Sequence, residues 1–414
     1  MSDQKITRRK MLKLSGMTIA GVAIGASGFG GVAKALGYDF MQVDDNTSTK
    51  NKINFYGRYQ SGISTPVQKH VYFASLDTSL STKEELQKLF QMWTPLAVRL
   101  TNGEPIGDSS SNAYVPTVDT GESMNLDASN LTLTFGVGPS LFDKASFGLT
   151  SKKPSELKDL PHFPKDQLDA ALCGGDICIQ ACADDPQVAF HAVRNLIRAA
   201  SGKVTLKWAQ TGFNSMPKDG GTPRNLFAFK DGTVNPSKSE ELKQTVWIGN
   251  GESKGWLTNG TYLIFRRIQM HLETWDRTSL KGQEETFGRH RDSGAPIGMK
   301  NEFDQVDITS TDANGKLLIP ENSHISLAKK AKRSILRRAF SYSSGIVEST
   351  GNYDAGLMFI SFQKDPQAFI DIQNSLGRVD RLNEYITHRG SAIFACLPGV
   401  EKGSYLGENL FSTL

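Results

Sequence analysis

The chain has 414 residues, carries 47 Lys and Arg against 43 Asp and Glu, and is 38% hydrophobic. That length accommodates two domains of common size and a core that needs no disulfide support. The near-even charge calls for neither nucleic acid nor an anionic membrane as a partner.

The first 35 residues read as a twin-arginine export signal. Arg8 and Arg9 precede a moderately apolar, Gly-rich run from Leu14 to Val32, and Ala33-Lys34-Ala35 supplies a small-x-small cleavage pattern. The run approaches the ~20 residues of a membrane span, but its glycines with Ser15, Thr18 and Ser27 make a poor permanent helix. Six of the 47 basic residues and one of the 43 acidic ones lie here, so the remainder carries 41 against 42. The expected location is periplasmic, extracellular or cell-surface. Residues 36–54 are polar and read as a flexible mature tail.

The globular part repeats itself. A strand over His70–Leu76 precedes a helical stretch over Lys83–Leu96, and a strand over Thr261–Met270 precedes one over Leu272–Lys281. The apolar runs Ile177–Ala183 and Leu357–Phe362 lead into Asp185-Pro-Gln and Asp365-Pro-Gln. In both, Asp caps a helix and Pro opens it. Strand-helix-strand order in both parts argues for an α+β chain of two ferredoxin-like halves, a pseudo-duplication. The Gly/Pro-rich stretch 212–223 separates them, giving domains 55–220 and 221–414.

Cys173, Cys178 and Cys182 cluster while Cys396 lies far away. Their spacing lacks a nearby fourth ligand for an iron–sulfur cluster, and Ile177–Ala183 reads as a strand with buried thiols. No C-x-x-C-H motif exists for covalent haem attachment.

Three contexts stand out: Asn225-Leu-Phe-Ala-Phe-Lys-Asp-Gly-Thr-Val-Asn-Pro236, Asn322-Ser-His-Ile-Ser-Leu-Ala328, and Ile335-Leu-Arg-Arg-Ala-Phe-Ser-Tyr342. Taken singly, Lys-Asp-Gly is a turn, His324 a structural histidine and Arg337 one member of a solvated cationic run. Together they resemble the dye-decolourising (DyP-type) haem peroxidases, specifically the exported branch that includes the deferrochelatase/peroxidases. The resemblance runs from about His70 to Pro398 and is densest at residues 173–196, 227–236, 287–298 and 322–342.

The resemblance implies a dimeric-α/β-barrel-like fold, with antiparallel sheets facing each other and helices outside. It implies one non-covalent haem b per chain, with His324 as axial ligand and His290 as the alternative. Asp231 is the implied acid/base, and Arg337 the cation beside it, with Arg338 as fallback. On a strand these neighbouring arginines face opposite ways. Phe229, Gly232 and Thr233 are implied cofactor contacts, and Arg289 a partner for a haem propionate. A ligating His commonly donates its second N–H to a carboxylate, here Glu384 with Asp380 as runner-up. The family motif Gly-x-x-Asp-Gly has Ala228 in place of its first Gly. The implied activity uses hydrogen peroxide to oxidise bulky organic donors, or releases iron from haem with the porphyrin intact. A role in iron acquisition beside a membrane iron permease follows, and a homo-oligomer is compatible. The alternative is an exported haem carrier without catalysis.

Overall fold

The computed structural model describes residues 51–108, 112–218 and 221–412. The expected export signal and residues 36–50 of the expected tail lie outside them. The first half runs β1 (His70–Thr78), α1 (Lys83–Thr101), β2 (Thr132–Val137), β3 (Ile177–Ala183), α2 (Pro186–Ala199) and β4 (Val204–Phe213). The second runs β5 (Thr261–Met270), α3 (Leu280–Phe287), α4 (His324–Lys330), β6 (Leu336–Arg337), β7 (Phe340–Ile346), β8 (Tyr353–Gln363), α5 (Gln367–Leu376) and β9 (Ile386–Cys396).

Local chemistry sets the helix starts. Thr82 and Glu85 form a reciprocal capping box on α1, and Asp185 accepts the Gln187 and Val188 amides of α2. Asp365 accepts the Gln367 amide at 2.9 Å at the head of α5. One expectation needs correction: Leu272–Lys281 is not a single helix. It breaks into Leu272–Trp275 and α3, because Ser279 accepts the Gly282 amide and starts a new helix there.

Strand order is β2-β3-β1-β4 in the first half and β9-β5-β8-β7 in the second, antiparallel throughout. Both are the ferredoxin-like order, with the half's first and third strands central. The two sheets join edge to edge. Gly136 pairs with Cys396 and Val137 with Ala395 at one seam, and Phe213 pairs with Ser341 at the other. The result is a closed barrel, in which the long strands have no free edge and the two-residue β6 pairs with β8 alone.

Strand alternation separates two apolar layers. Phe73, Trp208, Phe265, Met358 and Phe394 fill the bore, where Phe73 of one half stacks on Phe265 of the other at 4.8 Å. Outside, Leu76, Phe135 and Ile179 pack under Phe90 and Trp93 of α1 and Leu196 of α2. Gly356 lets β8 approach β5, since a Cβ there would lie 1.9 Å from the Ile268 carbonyl oxygen. All four cysteines are free, and Cys178, Cys182 and Cys396 are buried.

A long connection from the first half reaches across to β9. Gln167 and Asp169 donate their amides to the His388 and Arg389 carbonyls at 3.1 and 2.8 Å. Asp166 pairs with Arg266 beneath this strap, both side chains essentially buried. Burial, with Arg266 adding to it, pulls the His388 imidazole down to about 3.

Candidate active site

The Asp231 loop is built by its own sequence. Asn225 closes it: its amide donates to the Phe229 carbonyl at 2.9 Å, and its Oδ1 accepts the Phe227 and Phe229 amides at 3.0 and 3.3 Å. The turn forces Ala228 into the left-handed region at φ +67°, where a glycine would carry no strain. Phe227 and Phe229 then point inward, onto Trp275 at 4.5 Å and Phe287 at 4.1 Å between ring centroids. Phe287 in turn meets the His324 ring at 6.3 Å. One aromatic cluster therefore joins the Asp231 loop to His324.

Asp231 and Arg337 come together. Arg337 Nη1 lies 3.2 Å from Asp231 Oδ1, and the side chains stay 28% and 16% exposed. A buried ion pair would be structural; this one remains open on one side. Arg338 faces the other way, donating to the Thr65 carbonyl at 2.6 Å, the Pro66 carbonyl at 3.2 Å and Gln68 Oε1. It has no part in the pair with Asp231.

Gly232 follows Asp231 at φ +115°, a conformation that favours glycine. Thr233 donates to Glu302 Oε1 at 2.9 Å, and Lys230 pairs with the other oxygen of Glu302. Burial alone would raise the Glu302 carboxyl, but Lys230, Thr222 and Thr233 together hold it below the usual range. Thr233 is thus spent on fixing the loop.

His324 opens α4. Its Nδ1 lies 2.8 Å from Asp380 Oδ2, with the ring 29% exposed and the Asp380 side chain only 3%. With Asp380 accepting, Nδ1 carries the proton and Nε2 keeps its lone pair for an electrophile. Here the structure corrects the sequence expectation: Glu384 is exposed, and the carboxylate on His324 is Asp380. Asp380 sits there because it also starts the short helical turn Arg381–Glu384, accepting the Leu382 amide at 2.9 Å. His290, the alternative ligand, is engaged by Glu284 at 3.2 Å within its own segment.

Arg289 is buried, with Nη1 donating to the Gly294 and Glu302 carbonyls at 2.6 and 3.0 Å. Burial lowers its guanidinium, Glu302 opposes that, and Arg337 adds repulsion, so two cations share this side of the site. Such a pair suits an anionic group.

The donor set fits a macrocycle-held iron. His324, with Nδ1 on Asp380, offers a single nitrogen, as many as an iron already held by a ring would ask of the chain. Ile268, Met270, Leu357 and Leu382 add buried apolar walls to the aromatic cluster.

Two family models divide the chain between them. Residues 60–214 match the N-terminal region of the Dyp-type peroxidases and residues 222–401 the C-terminal region. The chain belongs to the Dyp-type peroxidase family.

Relatives agree along nearly the whole length. A deferrochelatase of Escherichia coli (strain K12) is 37% identical over 420 residues, covering 98% of this chain and 96% of that one. A deferrochelatase of Yersinia pestis is 35% identical over 419 residues, covering 98% and 94%. Among solved structures, an oxyferrous/water mixed complex of DtpA from Streptomyces lividans has a TM-score of 0.81 at 35% identity, covering 87% of this chain and 98% of that one. A DyP-type peroxidase from Cellulomonas bogoriensis has a TM-score of 0.80 at 35% identity, with the same coverage. The ferredoxin-like halves and barrel are therefore the DyP fold, and the chain is an oxidoreductase of that family.

Sequence reasoning missed Asn235 and Glu302, which pin the Asp231 loop from its two sides. The only signal for Asn235 was its place in the same motif; Glu302 had none, since its partner Lys230 is 72 residues away.

Proposed function

We propose that this DyP-type enzyme uses hydrogen peroxide with one non-covalent haem b per chain, and that haem is also its substrate for iron release. The carrying observation is the open Asp231–Arg337 pair, joined through one aromatic cluster to a His324 whose Nδ1 is already committed to Asp380. Haem, when bound, supplies a redox-active iron within a planar conjugated ring. His324 would hold it through Nε2, with Phe229 and Gly232 in the adjoining loop and Arg289 facing a propionate.

The chain's own groups then manage protons and charge. Asp231 takes the proton from the inner oxygen of hydrogen peroxide and returns it to the outer one as the O–O bond parts. Arg337 offers a permanent cation and planar donor fork where negative charge develops. The aromatic and aliphatic walls exclude water, which strengthens both effects. Bulky organic donors are the electron source in this reading.

The second activity rests on the relatives' name, deferrochelatase, carried across 98% of the chain. We also propose twin-arginine export, which delivers folded protein with cofactor loaded, and a place beside a membrane iron permease. Residues 8–9, the apolar run and Ala33-Lys34-Ala35 support the export reading.

The deciding experiment loads the purified protein with hemin and follows its absorption with and without peroxide. Asp231→Ala is expected to keep haem and lose about 100- to 10,000-fold in peroxide reactivity. Retained reactivity would refute Asp231 as the acid/base, and an inert wild type would leave the carrier reading. Free protoporphyrin after hemin incubation under reducing, mildly acidic conditions is expected; its absence counts against iron release.

A further inference from the structure

We propose that Asn235 is the positioning residue that sets the separation and angle of Asp231 and Arg337, a role that rests on the peroxidase reading of that pair. Arg337 lies on the two-residue strand β6, where Arg338 donates its amide to the Ile360 carbonyl of β8 at 2.8 Å. In an antiparallel ladder bonded and non-bonded positions alternate, so both backbone groups of Arg337 point away from β8. Among the described residues no strand covers that side. Asn235 does: its Oδ1 accepts the Arg337 amide at 3.0 Å, and its Nδ2 donates to the Arg337 carbonyl at 2.7 Å. A side-chain amide thus stands in for a strand partner, matching one donor and one acceptor at once.

What makes this more than edge satisfaction is where Asn235 comes from. It lies four residues beyond Asp231, and its own amide donates to the Gly232 carbonyl at 3.0 Å, closing a tight turn. Pro236 follows and restricts its backbone further. The acid's loop and the cation's strand are 102 residues apart in sequence, yet a rigid turn and a two-point amide clamp connect them. Arg338 anchors the opposite face of the same short segment on the Thr65 and Pro66 carbonyls. With the next residue held from one side and the backbone from the other, the Cα–Cβ bond of Arg337 is fixed, and its guanidinium reaches Asp231 from that base. Geometry errors of ~1 Å at such a pair cost up to about 100-fold in rate.

The test compares wild type, Asn235→Ala and Val234→Ala, the last an exposed neighbour in the same turn. In haem-free protein, amide hydrogen exchange is read at Arg337. In haem-loaded protein, the rate constant for peroxide and the KM for an organic donor are read separately. N235A is expected to speed exchange at Arg337 by about 2- to 13-fold, as loss of a net hydrogen bond implies. Exchange in β5 stays slow, the peroxide rate constant falls ~10- to 100-fold, and donor KM holds. V234A changes none of these. Faster exchange with peroxide reactivity within twofold of wild type makes Asn235 merely structural and overturns the proposal. So does unchanged exchange. Should N235A fail to fold, Asn235→Ser, too short to span both backbone groups of Arg337, faces the same criteria. A wild type that takes up haem but leaves peroxide untouched overturns the peroxidase reading itself. A reactive wild type with an equally reactive N235A overturns only the clamp.

Discussion

Replacing Asp380 by Asn keeps the side chain's shape and changes one oxygen into an NH2 group. Asp380 accepts twice, from His324 Nδ1 at 2.8 Å and from the Leu382 amide at 2.9 Å. An amide has a single acceptor oxygen, so one of these donors must lose its partner. If the oxygen stays on His324, the NH2 group faces the Leu382 N–H in a buried setting, and two donors oppose each other. That costs about 1–3 kcal/mol of haem-free stability. If the NH2 group faces His324, Nδ1 must accept, the ring proton moves to Nε2, and the lone pair that the proposed iron ligation needs is gone. Loss of such a supporting carboxylate lowers affinity for the bound group by roughly 10- to 100-fold. Hemin titration followed by absorbance measures the second outcome, and thermal unfolding of haem-free protein the first. Glu384→Gln is the matched control, because Glu384 is exposed, and it should change neither. If D380N binds hemin within twofold of wild type and melts at the same temperature, the assignment of Asp380 to His324 is wrong.

Other residues give sharper single readings. Ala228→Gly relieves the left-handed backbone at φ +67° and should stabilise the protein by about 1 kcal/mol, a rise of ~1–2 °C in a calorimetric melt; a lower melting temperature would contradict the strain. Burial holds the His388 ring at about 3 against its ordinary 6.5, so between these values the folded chain binds fewer protons than the unfolded one. Its contribution is therefore full above pH 6.5 and drains as pH falls toward 3, by up to ~1.4 kcal/mol per unit. Denaturant titrations across that window should show a shallower slope in His388→Gln, and identical slopes would refute the linkage. Asp166→Ala strands the buried Arg266 charge and should cost about 3–5 kcal/mol in urea unfolding; a loss below about 1 kcal/mol would mean water reaches the guanidinium.

The halves were legible because their signals are local. Ile177–Ala183 is a run of seven buried residues ending at a capping Asp, and the same grammar recurs at Asp365. The interruption between Trp275 and Leu280 escaped because helical spacing continues across it while Ser279 restarts the hydrogen bonding. Asp231, His324 and Arg337 were picked out by motif, not by geometry, since nothing in a sequence brings residue 231 to residue 337. The choice between Glu384 and Asp380 failed for a related reason. Both lie within one turn, and only the cap that orients Asp380 inward separates them. Glu302 and Asn235 act on partners 72 and 102 residues away, and such pairings exist only once the barrel closes.

The strap that carries Asp166 has a consequence for the order in which the protein comes into being. Asp166 is synthesised 100 residues before Arg266, and Gln167 precedes its partner Arg389 by 222. A growing chain therefore holds an acidic group destined for the interior long before Arg266, its ion-pair partner, has been made. Until β5 and β9 exist, that group must stay in water and the strap must stay undone. The strap of the first half cannot reach its final packing before those strands are made. Its last piece locks in the same event that completes the second half's sheet, so a prematurely terminated chain is left with its strap open, where a protease can find it.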